Sequence, residues 1–345
     1  GLATSDSPDE PSQASYYQQL ASQLEAAVHD ALAKGSKRLL GTYLQSLLAY
    51  PDACTKGEQV IDPGSGAVLA AVPPLPEGHR YPKEQALLDL IETEKRQGRR
   101  VLVYITHTAT RDIASRLESV LMEAGHRVAN LKADTVPPER REDWVSQRVK
   151  AGLDVLLVHP RLVQTGLDLV EFPTIVWQEV EYSVYTMRQA SRRSWRIGQR
   201  RPVRVIYLAY RGTLQAQALT LVAKKLKASL AVEGELGDDG LATFGDDGED
   251  LLMALARSLS KRVGAGDESL EDLFADLRHS EREFNEEFGQ ALDADAEITR
   301  VSRSSPEDEA QILDSVILAK PGAADRPDDA DPQATRSAGQ QLRLF

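Results

Sequence analysis

The sequence is poor in cysteine and has no long apolar run. Its 345 residues include one cysteine, Cys54, which excludes an intrachain disulfide and a zinc site built from several cysteines. No apolar run approaches the roughly 20 residues that span a bilayer, and no basic stretch followed by an apolar one opens the chain. The six histidines include no pair four residues apart, as a metal-binding helix requires. These absences predict no metal site, no membrane partner and a cytoplasmic location.

Charge is distributed unevenly along the chain. Residues 231–345 carry 11 Lys and Arg against 28 Asp and Glu, or −17; because the whole chain carries −12, residues 1–230 carry +5. Residues 151–230 alone hold 12 basic against 5 acidic side chains. A basic stretch in a folded region predicts a phosphate-binding face. A solvated surface remains the alternative, since composition does not place these charges on one face.

Apolar spacing divides the chain into three parts. Residues 1–81 begin with two amphipathic helices and continue into a Pro- and Gly-rich segment, 51–82, which predicts an irregular connector. Residues 82–232 alternate helices with five short apolar strands, which predicts an α/β fold with a mostly parallel sheet covered on both faces. The strands are predicted at 101–105, 128–131, 154–158, 174–177 and 203–208. Residues 233–345 are acidic and poor in apolar residues, which predicts a mostly disordered tail with short helices near 251–263 and 270–288.

The most informative segment is QASRRSWRIGQ, residues 189–199. The segment lies on a helix predicted over 183–195 and extends just past the end of that helix. Arg193 and Arg196 are three residues apart, so they emerge on the same side, and Gln189 precedes Arg193 by one turn. Two converging guanidinium groups repel unless an anion joins them, and they match phosphate oxygens well. This spacing favours a triphosphate site. A solvated basic end of a helix remains the alternative interpretation.

This segment resembles motif VI of the Swi/Snf-like ATPases of helicase superfamily two. LVQTGLDL (162–169) resembles motif V, and RRVLVYITHT (99–108) resembles motif IV. The resemblance covers about residues 81–230. It implies a RecA-like second motor lobe, part of an ATP-dependent translocase or helicase.

The resemblance also assigns roles on the nucleotide side of such a lobe. Arg193 and Arg196 would reach the γ-phosphate of ATP as arginine fingers, and Gln189 would position the fingers or the attacking water. Gly166 would allow close approach of the backbone to the cofactor. Asp168 would accept a hydrogen bond from the ribose or from an arginine.

Nucleic-acid contacts are implied for two other segments. Thr106 and His107 of motif IV, together with Gln164 and Thr165 of motif V, become candidate contacts to the phosphate backbone. The RIGQ ending favours double-stranded DNA as the track. An RNA track remains open.

No phosphate-binding loop ending in Gly-Lys-Ser/Thr, and no acidic pair after a strand, occurs in the 345 residues. ATP and Mg²⁺ would therefore be bound mainly by a first, N-terminal ATPase lobe, in the same or a separate chain. The chain alone is expected to be inactive, and its start at Gly1 suggests a fragment or processed product. A non-catalytic binding or adaptor module of RecA-like fold is the alternative function.

The last five residues, QLRLF, form an apolar cluster after a long polar segment. They resemble the peptide that partners of the bacterial sliding clamp insert into its apolar pocket. Gln341 would bond at the pocket rim, and the apolar side chains would enter the pocket; these are Leu342, Leu344 and Phe345. The resemblance suggests a bacterial or phage source. An uninvolved C-terminus is the alternative.

Overall fold

The computed structural model describes residues 1–5, 11–34, 36, 39–107, 109–163, 167–179, 181, 184–194, 198–233, 316–317 and 342–343. The α-helices of this part are α1 (Gln13–Ala33), α2 (Leu39–Ala53), α3 (Pro82–Arg96), α4 (Ala114–Glu123), α5 (Arg141–Lys150), α6 (Val184–Arg192) and α7 (Leu214–Glu233). The strands are β1 (Glu58–Ile61), β2 (Val68–Val72), β3 (Val101–Tyr104), β4 (Val128–Leu131), β5 (Val155–Val158), β6 (Thr174–Trp177), β7 (Arg204–Tyr207), β8 (Val316–Ile317) and β9 (Leu342–Arg343). No helix among these residues is long and apolar enough to span a bilayer.

Strands β3 to β7 form one parallel sheet in the order β4-β5-β3-β6-β7. The central strand β3 pairs with β5 and β6, so that Val101 lies opposite both Val155 and Thr174. Each strand lies within one residue of its predicted bounds. The predicted class, an α/β fold with a parallel sheet flanked by helices, is confirmed.

Helices cover both faces of the sheet because successive side chains of each strand point to opposite sides. Val101 and Val103 pack in a cluster with apolar residues of α3 and α4. Leu102 and Tyr104 pack in a second cluster with residues of α1, α2, α6 and α7. Burial on both faces explains why these strands are continuous apolar runs rather than alternating ones.

The N-terminal helices pack against the last described helix. Tyr17 of α1 accepts a hydrogen bond from the backbone N–H of Leu214, at 2.9 Å, and burial raises the pKa of its phenol to about 12. Gln215 donates through Nε2 to the Leu48 carbonyl of α2 at 2.7 Å. The predicted boundary at residue 81 thus separates two segments that share one hydrophobic cluster.

A buried polar node joins α2, α3 and α7. Lys83 Nζ lies 2.8 Å from Asp52 Oδ1, and the two side chains are 4% and 2% exposed. Gln215 donates through Nε2 to Asp52 Oδ2 at 2.6 Å, and its Oε1 accepts from Lys83 Nζ at 3.3 Å. Both charges are therefore compensated inside the fold, as buried charges must be.

The predicted irregular connector over 51–82 is wrong for residues 58–72. Strands β1 and β2 pair there as an antiparallel hairpin, and Val60 and Ala70 point into the core. Asp62 fixes the turn by accepting from the Gly64 N–H at 3.0 Å and from Ser65 Oγ at 2.6 Å. The Gly and Pro residues that suggested irregular structure lie in this turn and beside the strands.

The predicted helices of the acidic tail, 251–263 and 270–288, lie outside the described residues. Strands β8 and β9 pair in parallel, with Val316 opposite Leu342.

Candidate functional site

Two residues of the site predicted from sequence, Thr106 and His107, lie at the carboxyl edge of the sheet. In open α/β folds this edge gathers the loops that follow the strands, and ligands bind there. Thr106 and His107 follow β3, His159 follows β5 and Glu179 follows β6. Because β3 lies between β5 and β6, these residues come together in the fold. His107 and Glu179, for example, are 72 positions apart in the sequence.

A buried carboxylate, Glu179, holds the loop after β3. Its Oε2 accepts the backbone N–H of Thr106 at 2.5 Å and that of His107 at 2.7 Å. Its Oε1 lies 3.0 Å from His107 Nδ1, within ion-pair distance but without the alignment of a hydrogen bond. Glu179 is 0% exposed. A carboxylate that receives two amide N–H groups and faces an imidazole is well compensated for the loss of water.

The charges of this pair stabilise each other. Burial lowers the pKa of His107, but the neighbouring Glu179 outweighs burial, and the net pKa is raised. Burial likewise raises the pKa of Glu179, whereas His107 and the two amides lower it, and the net pKa is lowered. His107 is therefore favoured as a cation and Glu179 as an anion.

His159 fixes the same loop from the side of β5 and is held neutral. Burial lowers its pKa to about 4. Its Nδ1 accepts the Arg161 N–H at 3.2 Å, which leaves the proton on Nε2, and Nε2 lies 3.1 Å from the Thr106 carbonyl. Thr106 is thus bound at its N–H by Glu179 and at its carbonyl by His159.

The second part of the site is the end of α6. The helix predicted over 183–195 ends at Arg192, so Arg193 lies in a turn rather than on a helical face. Its N–H bonds three residues back, to Ala190 at 3.3 Å, and its carbonyl accepts the Leu169 N–H at 2.9 Å. Gln199 joins the same two segments, because its Nε2 donates to the carbonyl of Ser194 at 2.9 Å and to that of Val170 at 2.8 Å. Tight binding to the loop before β6 explains why the helix stops early.

The structure brings together some, but not all, of the predicted nucleotide-side residues. The backbone bond between Arg193 and Leu169 places Asp168, which is exposed, next to the end of α6. Arg193 is 7% exposed and lies close enough to lower the pKa of Tyr104 against the raising effect of burial. Gln189 is half-buried one turn earlier. The other predicted residues lie outside the described part: Arg196, Gly166, Gln164, Thr165, Gln341, Leu344 and Phe345.

The sequence contains no Gly-Lys-Ser/Thr loop to cradle the phosphates of a nucleotide. Within the described ranges no group of three His, Cys, Asp or Glu side chains is placed to hold a metal ion.

Sequence reasoning missed Glu179 and His159. Each lies within two residues of the end of a buried apolar strand, at the edge where functional side chains gather. That placement was the available signal. Their shared partner Thr106 could be found only from the order of strands in the sheet.

One known protein family matches part of this chain. Residues 82–198 match the helicase conserved C-terminal domain. That range contains β3 to β6 and the end of α6, together with every loop of the carboxyl edge described above. The chain therefore carries a region similar to a helicase C-terminal lobe.

Curated relatives point the same way. The SWI/SNF-related matrix-associated actin-dependent regulator of chromatin subfamily A containing DEAD/H box 1 homolog of Caenorhabditis elegans is 29% identical over 190 residues, 52% of this chain and 19% of its own length. The TATA-binding protein-associated factor BTAF1 of Arabidopsis thaliana is 34% identical over 135 residues, 38% of this chain and 6% of its own. The matched part thus spans less than a fifth of either relative.

Among solved structures, the C-terminal part of the Fun30 ATPase domain is similar at 19% identity and a TM-score of 0.37, over 41% of this chain and 44% of that one. The expected bacterial or phage source and the cytoplasmic location stay predictions.

Proposed function

We propose that this chain is the second motor lobe of an ATP-dependent DNA translocase of the Swi/Snf-like class. The observation that carries the proposal is the helicase C-terminal match over 82–198, which contains residues 189–198 of the motif VI-like segment. The parallel sheet supports it by placing the loops after β3, β5 and β6 on one edge.

In this proposal the chain completes an ATP site rather than building one. The first lobe holds ATP and Mg²⁺, and closure brings Arg193 and Arg196 to the γ-phosphate, with Gln189 behind them. Charge develops on the phosphoryl oxygens in the transition state, and a finger supplied across a cleft is worth about 10³ to 10⁵ in rate. In the described conformation Arg193 is 7% exposed, so its finger role requires a change on closure.

Duplex DNA is the proposed track. Residues 1–230 carry +5, and the loop with Thr106 and His107 opens at the carboxyl edge of the sheet. Neutralising phosphates with cationic side chains makes affinity fall steeply with salt.

The test is phosphate release from ATP, measured with and without duplex DNA. The chain alone is expected to release none, and the chain joined behind a first lobe with a Gly-Lys-Thr loop is expected to release phosphate faster when DNA is added. DNA-stimulated turnover by the chain alone would contradict the half-motor proposal. So would a joined protein that neither binds DNA nor responds to it.

The burial of Arg193 favours one alternative, a non-catalytic module in which this arginine only stabilises the end of α6. In that case the joined protein binds DNA, but replacing Arg193 does not change kcat.

A further inference from the structure

Two backbone amides of the loop after β3 are not free to bind an anion. In many anion sites consecutive backbone N–H groups point at a phosphate. Here the N–H groups of Thr106 and His107 both donate to Glu179 Oε2, at 2.5 and 2.7 Å. What Thr106 and His107 can still offer to a phosphate is their side chains.

The His107 ring is oriented for that task. Its Nδ1 lies 3.0 Å from Glu179 Oε1, so Nε2 lies on the side of the ring away from the carboxylate. The side chain keeps 18% exposure, whereas Glu179 has none. The arrangement is a buried anion behind a partly exposed imidazole, as carboxylates orient histidines in other sites.

We propose that His107 and Glu179 form a two-residue phosphate contact for the DNA backbone, in which the buried carboxylate holds His107 as a cation that donates Nε2–H to a phosphate oxygen. His107 is the binding residue and Glu179 the positioning residue. The inference rests on the proposed function, because it names the chemistry by which that loop contacts DNA. It also gives Glu179 a reason to be buried with a charge.

The surrounding charges agree on balance with a cationic His107. Asp52 of α2 favours the cation, and Arg111, the last residue of the 3-10 turn Ala109–Arg111, opposes it. The charge of Arg111 is itself paired with Glu58 of β1. On the β5 side His159 is neutral and adds no charge. The charge of Arg161, two residues further along the chain, lowers the pKa of His159.

The direction of the pH dependence follows. A group whose pKa is raised in the folded protein is cationic below that pKa and loses its charge as pH rises through it. The DNA contact is therefore present at lower pH and is lost as pH rises. Replacing Glu179 by Gln removes the charge that outweighs burial, so the loss moves to lower pH.

The experiment uses the full chain and a fluorescein-labelled 20-base-pair duplex. The slope of log affinity against log salt is measured for the parent, His107→Gln and Glu179→Gln at a pH that lies below the His107 pKa of the parent and above that of Glu179→Gln. The slope is negative, and loss of one phosphate contact makes it less steep by about 0.9. We expect this change in both variants. His29→Gln, at an exposed position on α1, removes a histidine elsewhere and is expected to keep the parent slope.

NMR titration of the ring provides a readout that does not depend on DNA. The pKa of His107 is expected to fall in Glu179→Gln, because the neutral amide no longer favours the cation, and an unchanged pKa would overturn the role of Glu179. His107→Gln keeps the Glu179 carboxylate and its amide bonds, so it remains informative if Glu179→Gln does not fold.

Two results separate the possible failures. If the parent binds DNA and His107→Gln binds with the same slope, the His107 contact is overturned while the proposed function stands. If the parent binds no DNA, the proposed function and this contact fall together.

Discussion

Replacing Lys83 by Met tests whether the buried node holds the N-terminal helices to the lobe. The change removes the partner of Asp52, whose side chain is 2% exposed, and leaves Gln215 as its remaining described hydrogen-bond donor. Breaking a buried ion pair by deleting one partner costs about 3–5 kcal/mol, because the other charge stays buried. We expect a loss of that size in the free energy of unfolding from urea titration. The exposed pair Arg96–Glu92, at 70% and 54% exposure, provides the control, and Arg96→Met is expected to cost less than about 1 kcal/mol.

The double variant Lys83→Met, Asp52→Leu completes the test. Removing both charges leaves no uncompensated ion, so it is expected to recover most of the loss. The pH dependence has a definite sign. Burial raises the pKa of Asp52, and loss of Lys83 raises it further, so the penalty of Lys83→Met shrinks as pH falls and Asp52 takes up a proton. A cost below about 1 kcal/mol, or a double variant as unstable as the single one, would refute the reasoning.

Three further predictions follow from the site, the hairpin and the tail. In a two-lobe protein, Arg193→Ala is expected to lower kcat at least about 10²-fold while DNA binding is retained. An unchanged kcat would show that Arg193 has only a structural role. Gly57→Ala is expected to lower the free energy of unfolding in urea more than Gly66→Ala does. Both glycines have positive φ, 71° and 70°. A Cβ at Gly57 would lie 2.7 Å from the Val72 carbonyl oxygen, whereas no atom lies within 4 Å of a Cβ at Gly66. A peptide of residues 337–345 is expected to bind a bacterial sliding clamp with micromolar affinity that Leu344→Ala and Phe345→Ala abolish, and absence of binding at about 100 µM rejects the clamp interpretation.

The sheet could be predicted from sequence because its strands are apolar on both faces. Val101 to Tyr104 and Val155 to Val158 are fully buried runs, and burial of both faces leaves a signal that does not depend on distant residues. The hairpin of β1 and β2 could not be predicted in the same way. Only one face of its strands is buried, and Gly and Pro beside them indicate irregular structure.

The site was predictable in part for a similar reason. Thr106, His107 and Arg193 lie in motif-like segments that can be recognised locally. The end of α6 at Arg192 depends on the bond from Leu169 N–H to the Arg193 carbonyl, a contact across 24 residues that helical periodicity does not contain. The role of Glu179 depends on β3 and β6 being neighbours, which is a property of strand order.

The hydrogen bond from Leu214 to the Tyr17 hydroxyl spans 197 residues of the chain. On a ribosome that adds about 5–20 residues each second, α1 would be exposed for on the order of 10–40 s before its partner on α7 is made. Residues 82–198, the range of the helicase match, exclude α1, α2, β7 and α7. A protein cut to that range would expose the apolar side chains of β6 and the face that α1 and α7 cover. We therefore expect the lobe to complete its folding only after α7 has been synthesised, and to need protection from aggregation until then.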